Sequence, residues 1–313
     1  MNGRRNIIWG LVAAALAVVL ILRAFGVIPD GLFDVIVRAA PALLIFVGLA
    51  VLLRGRMPFG GLVALAVSLA IAVNVGLLAY STRSAQTRDD NRIPIEAVIS
   101  TGVNLLRVEA DLLTTDVNVL LSESGAVSGE YVGSLENTLT VNYVEDGQGG
   151  ALLTINETPS AQFPNLERVG RGRFDLRLPP DLATDVLLDV QQGISTLDFG
   201  NIDLERLNVN VQQGDVRLVL PEYAAQSPDV EGNGNLNVQN GALTLFVPRS
   251  VGVRLELPTG SGGEPQVDET VYNVLRDGTI ETRSFDVAGT QVRYVIRIPR
   301  GAVRIEEAAQ AGS

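Results

Sequence analysis

Carboxylates, amides and arginines carry whatever chemistry this chain of 313 residues can do. It has no His and no Cys, and all 24 of its basic residues are Arg. Without His there is no imidazole base near neutral pH and no Ser-His-Asp relay. Without Cys there is no thiolate nucleophile, disulfide framework or cysteine zinc site. Without Lys there is no Schiff base and no phosphate-loop lysine. Acid catalysis by a carboxylate pair and oxygen-ligated metals remain open. The spacing a glycosidase needs between its carboxylates is spatial, so no such pair can be named from the sequence. Asp198, Asp203, Asp215 and Asp229 are candidate calcium ligands. They lack the dense spacing of calcium-binding nonapeptides, and a solvated surface is the expected role. Thr259-Gly260-Ser261-Gly262-Gly263 is rich in Gly. It lacks the Gly-Lys-Ser/Thr ending of a phosphate loop and reads as a turn. No catalytic, cofactor-binding or metal-ligating residue is assigned, and no cofactor is expected.

The remaining polar side chains recur at fixed offsets. Shifted by 21 residues, Val190-Gln191-Gln192-Gly193 falls on Val211-Gln212-Gln213-Gly214, Val186 and Leu188 fall on Leu207 and Val209, and Leu197 and Phe199 fall on Leu218 and Leu220. A third copy follows 27 residues later. There Val238-Gln239-Asn240-Gly241 matches the turn, and Leu243, Leu245 and Val247-Pro248 match Val216, Leu218 and Leu220-Pro221. Two short strands per period of about 21 residues are the mark of a β-solenoid coil, in which each coil buries its apolar face against the next. The Gly after each amide pair supplies the backbone freedom a corner needs. Gln and Asn at matching offsets are expected to stack as structural amide ladders. An antiparallel sandwich is the alternative fold.

Strand signals begin earlier, at Ala97–Ser100, Asn104–Ala110, Asp116–Leu121, Val127–Val132, Thr138–Tyr143 and Ala151–Ile155. Asp146-Gly147 and Asp277-Gly278 read as hairpin turns. Residues 82–94 are polar and read as a linker, 95–304 as the β-solenoid domain, and 305–313 as a frayed tail.

Residues 1–81 are of another kind. Three apolar runs, about 6–27, 33–53 and 59–80, each approach the ~20 residues that cross a bilayer as a helix. They are expected to be transmembrane helices. Arg4-Arg5 and an apolar run also begin a signal peptide. The length of the run, Arg23 near its end and the lack of an A-x-A site favour a retained helix. Arg4, Arg5, Arg54 and Arg56 place the N-terminus and the second loop in the cytoplasm, which sends the C-terminal domain outside the cell. Within the spans, Asp34 and Arg38 lie four apart and can pair, Pro41 kinks the second helix, and Asn74 is a helix-packing amide.

Charge divides along the same boundary. Residues 1–81 hold six Arg and two acids, and the rest of the chain holds 18 Arg and 33 acids, so net charges of +4 and −15 make up the total of −11. An acidic β domain repels nucleic acid, which is excluded as a partner. The expected partners are the lipid bilayer and a membrane signalling protein or cell-wall component; oligomeric state is open.

The stretches Arg173–Pro179, Val186–Gly193, Leu197-Asp198-Phe199, Leu204–Val209 and Val247–Arg254 resemble the toastrack proteins. These are bacterial, membrane-associated β-solenoids akin to the C-terminal part of LiaF-like envelope-stress regulators and to adhesin-type proteins. Residues 95–135 are similar to the N-terminal part of that module. Gly10, the turn at 28–31 and Pro41–Gly48 look like the paired helices of LiaI/LiaF-like proteins. The chain departs from the pattern in its Gln-Gln-Gly turns and in its third apolar run, which argues against contact with a cytoplasmic kinase. The fold class expected is three N-terminal transmembrane α-helices followed by an all-β, single-stranded β-solenoid. The resemblance implies a non-enzymatic, membrane-anchored envelope protein that senses or regulates envelope stress; a surface scaffold or adhesin is the alternative.

Overall fold

The computed structural model describes residues 85–123, 125–160, 170–222, 232–258 and 265–308, with scattered positions between 67 and 82. The expected helices at 6–27 and 33–53, and most of 59–80, lie outside the described residues. Among the described residues no helix is long and apolar enough to cross a membrane. The fold class is therefore corrected: three membrane-crossing helices are not seen among the described residues, and from residue 85 onward the described chain is all-β, with one short 3-10 turn, Phe285–Val287. Apolar continuity says that a segment avoids water, and does not by itself dictate a helix. Thr87–Pro159 and Arg171–Ser313 form one compact unit; Met1–Gln86 and Ser160–Gly170 form a second.

Among the described residues seventeen strands build the β unit: β1 (Asn91–Ala97), β2 (Leu105–Leu121), β3 (Val127–Gly133), β4 (Asn137–Glu145), β5 (Gly150–Pro159), β6 (Gly172–Leu178), β7 (Ala183–Gln192), β8 (Ser195–Asp198), β9 (Leu204–Gln213), β10 (Val216–Val219), β11 (Gly234–Val238), β12 (Leu243–Val247), β13 (Val251–Glu256), β14 (Tyr272–Val274), β15 (Ile280–Thr282), β16 (Thr290–Arg297) and β17 (Val303–Glu307). They fall on two faces joined at a corner. On the first face β5, β2, β7, β9, β11, β16 and β13 run parallel, side by side. On the second, β6, β2, β8, β10, β12 and β17 do the same. β2 crosses the corner from the first face to the second, as do the pairs β7–β8, β9–β10, β11–β12 and β16–β17. β2 does so as one continuous strand, where the sequence suggested two.

Register follows the repeat. Val186 pairs with Leu207 and Leu188 with Val209; Leu197 pairs with Leu218, and Leu218 with Leu245. Burial alternates along each strand whether the neighbour is polar, as Arg217 and Thr244 are, or apolar, as Leu187 is, and the inward Leu197, Leu207, Leu218 and Leu245 are fully buried. Burying each such side chain is worth roughly 1.5–3 kcal/mol.

The stack is not a simple spiral. The chain enters in the middle at β2, lays β5 and β6 on one side, then resumes with β7 and β8 on the other. At the far end β16 slots between β11 and β13. Antiparallel pairs close the flanks: β1 with β3, β3 with β6, β4 with β5, β13 with β15, and β14 with β15. The turns at Asp146-Gly147 and Asp277-Gly278 join β4 to β5 and β14 to β15. β1 takes up Asn91–Pro94 and ends at Ala97, leaving Val98 84% exposed.

The β2 corner lacks the glycine of later rungs, and a carboxylate caps it. Glu157, buried at 3% exposure, accepts from Leu113 N (2.7 Å), Thr114 N (3.3 Å), Thr115 Oγ1 (2.8 Å), Tyr131 OH (2.8 Å) and Asn137 Nδ2 (2.6 Å). One side chain thereby ties β2, β3, β4 and β5 together. Burial, with the Glu157 carboxylate beside it, pushes the Tyr131 hydroxyl far above the ordinary tyrosine range.

Candidate binding groove at the solenoid corner

Four rungs turn the corner on a column of glycines, Gly193, Gly214, Gly241 and Gly301. A Cβ on each would lie 1.9, 1.8, 1.9 and 1.7 Å from the carbonyl oxygen of the residue stacked beneath it, Thr115, Gly193, Gly214 and Gly241 respectively. Gly214 and Gly241 also have φ of +146° and +153°, which side-chain-bearing residues rarely adopt. The main chain is engaged from rung to rung: Gly193 N donates to Gln213 O (3.0 Å), Gly214 N to Asn240 O (3.0 Å) and Gly241 N to Arg300 O (3.1 Å).

This tight corner presents two kinds of amide. Further along the first face, Asn210 Nδ2 donates to Asp189 Oδ1 (2.7 Å) and Asn237 Nδ2 donates to Asn210 Oδ1 (2.8 Å). Asn235 Nδ2 likewise donates to Asn208 Oδ1 (3.2 Å). These are the structural ladders expected from the repeat. At the corner itself the amides behave differently. Gln191, Gln212, Gln213, Gln239 and Asn240 are all exposed, and among the described residues their side chains make no hydrogen bond. With Pro299 and Arg300 they line a groove of ≈ 480 Å³. It runs along the stack, with Gln191, Gln212 and Gln239 in one row and Gln213, Asn240 and Arg300 in a second. Neighbouring rungs are ~4.8 Å apart, so the groove repeats one set of donors and acceptors at that spacing. No carboxylate lines it.

A second depression, of ≈ 340 Å³, lies on the first face at Leu105, Arg107, Val144, Asp146, Gly150, Ala151 and Leu152. It is more apolar and lacks the repeated polar lining.

The other residues singled out by sequence are scattered. Asp198 Oδ1 accepts from Gly200 N (3.0 Å) and Asp215 Oδ1 from Ala242 N (2.8 Å), so both fasten turns. Asp203 Oδ1 is buried with no partner among the described residues. Asp185 and Asp203 lie near enough to Glu205 to raise its pKa, after burial, which is the larger cause. Among the described residues no group of three or more acids is placed to hold a metal ion. Asp229, the Gly-rich 259–263 segment, Asp34, Arg38 and Pro41 lie outside the described residues. Asn74 Nδ2 donates to Ala70 O (2.7 Å).

The fourth groove rung, Pro299-Arg300-Gly301, escaped the sequence reading. Its Gly lies 60 residues beyond Gly241, and Pro-Arg replaces the amide pair. The signal that could have found it is the alternation Val292, Tyr294, Ile296, Ile298 before the Gly and Val303, Ile305 after it.

No protein-family model and no curated protein matches the chain. A solved candidate cell adhesion protein from Clostridium sporogenes ATCC 15579 matches 70% of this chain and 100% of its own length, with a TM-score of 0.58 and 18% identity. A candidate adhesin from Bacteroides fragilis NCTC 9343 matches 69% of this chain and 98% of its own, with a TM-score of 0.17 and 11% identity. Only the first score bears on the fold, which is the curled β-sheet of that cell adhesion protein. This agrees with the adhesin-type part of the resemblance drawn above. The LiaI/LiaF-like helical part falls on residues outside those described.

Proposed function

We propose that this chain is a non-enzymatic, surface-displayed binding module whose stacked-rung body contacts a protein or a cell-wall component. The observation that carries this reading is the corner groove. Its amides are exposed and, among the described residues, unpartnered, on a backbone locked rung to rung, which is how a site is held ready without rearrangement. Solenoids use such extended surfaces for binding. The absence of a carboxylate from the groove lining supports binding over glycoside hydrolysis, which needs a pair. The adhesion-type fold supports display outside the cell, and the apolar composition of residues 6–80 supports attachment at a membrane.

Photo-crosslinking in intact cells tests this. A crosslinker at position 212, in the groove, is expected to capture an envelope component that one at position 217, on the second face, does not. Equal capture at both positions, or none at 212, refutes the reading. The likeness to LiaF-like proteins supports a role for the same surface in envelope-stress regulation. Deleting the gene should then change a stress reporter, and an unchanged reporter leaves the scaffold reading alone.

A further inference from the structure

Four features of the groove restrict what it can hold. Its lining is five amides, one proline and one arginine. An amide donates and accepts at once, which matches hydroxyl and acetamido groups, themselves both donor and acceptor. A polyphosphate would need clustered cations, and here a single Arg stands in a region of net charge −15. A peptide strand recognised by sheet extension needs free main-chain groups, and those at this corner are already paired between rungs. An aromatic or lipid ligand needs apolar walls, and Pro299 is the lone apolar side chain in the lining.

The spacing adds a further restriction. Gln191, Gln212 and Gln239 stand in register on successive rungs, with Gln213, Asn240 and Arg300 forming the parallel row. A straight row of identical groups at ~4.8 Å intervals suits a linear polymer better than a compact molecule. These amides are also dispensable to the fold, because the stacking role belongs to Asp189, Asn210 and Asn237. Arg300 is exposed at the end of its row, and its planar fork suits one carboxylate.

We infer that the corner groove binds a glycan strand rich in hydroxyl and acetamido groups, with a carboxylate of that strand held by Arg300. This rests on the binding-module reading and names its ligand class.

The test is isothermal titration of the full-length protein in detergent with two probes: neutral N-acetylglucosamine oligomers, and soluble glycan strands from peptidoglycan, which carry carboxylates. The wild type is expected to bind both, the carboxylated strand more tightly. Gln212→Ala with Gln239→Ala should weaken both by at least tenfold while leaving the thermal melt unchanged. Arg300→Gln should reduce the carboxylated probe to the level of the neutral one and leave the neutral one unmoved. Failure of the wild type to bind either probe, or equal binding by the double variant, overturns the proposal. If position 212 still crosslinks an envelope component while neither glycan binds, the ligand class is wrong and the binding-module reading survives.

Discussion

Replacing Gly214 by Ala tests the stacked corner most severely. The new Cβ would lie 1.8 Å from Gly193 O and 2.7 Å from Gly193 C, both main-chain atoms that cannot swing aside. Relief requires the two rungs to separate by more than an ångström. That movement would break the bonds from Gly193 N to Gln213 O and from Ser195 N to Asp215 O, at 3.0 and 2.9 Å. The backbone conformation at φ +146° adds roughly 1–3 kcal/mol of strain for a residue with a side chain. Overpacking adds roughly 1–3 kcal/mol. The total destabilisation is about 2–6 kcal/mol, a large part of the stability of an ordinary domain. Urea denaturation of the full-length protein in detergent, followed by circular dichroism, measures it. Gly102→Ala is the control, since its Cβ would meet nothing within 4 Å, and its midpoint should shift by no more than about 0.5 kcal/mol in equivalent stability. A Gly214→Ala protein as stable as the Gly102→Ala control refutes the stacked-carbonyl account of the corner.

Three further predictions follow from other parts of the β unit. Glu157→Gln puts an amide donor against groups that all donate to the carboxylate, so stability should fall by about 2–4 kcal/mol, read by the same denaturation. Asn210→Ala removes two ladder bonds and should cost about 1–2 kcal/mol, whereas Gln212→Ala, two residues nearer the corner on the same strand, should leave the melting temperature unchanged. Burial, with Asp185 and Asp203 adding repulsion, raises the folded pKa of Glu205. The folded state then holds the Glu205 proton more tightly than the unfolded one, so this group's contribution to stability is present in acid and is lost as pH rises through that raised pKa. Melting temperature against pH should show that loss above the ordinary glutamate range. Glu205→Gln should abolish it and raise the melting temperature at neutral pH.

The central rungs were legible because their inward residues alternate and their corners share a motif. Val186 to Leu207 and Leu218 to Leu245 pair at the offsets of 21 and 27 seen in the sequence. Legibility failed wherever the chain left and returned. β16 joins β11 across an insertion that carries β13, β14 and β15, so its rung falls at no regular offset. β2 reads as two strands in the sequence because Leu113-Thr114-Thr115 interrupts the alternation at the corner without a glycine to mark it. The Glu157 cap is a purely spatial convergence of residues from four strands. For the groove, the sequence supplied the amide rows. It could not separate Asn210, which bonds its neighbours along the stack, from Gln212, which points its amide to solvent. Both sit at equivalent steps of the repeat, and only side-chain geometry distinguishes them. The apolar continuity of residues 6–80 reads as three helices, and those spans lie almost wholly outside the described residues, among which no helix is long and apolar enough to cross a membrane.

Cosedimentation with isolated cell envelopes decides whether the corner groove is a binding surface. Gln213→Trp places a bulky side chain in the groove lining and leaves all four corner glycines in the sequence. Wild-type protein is expected to pellet with envelopes through the groove, and Gln213→Trp to lose most of that binding at an unchanged melting temperature. Equal sedimentation of the two proteins would contradict a binding role for the corner.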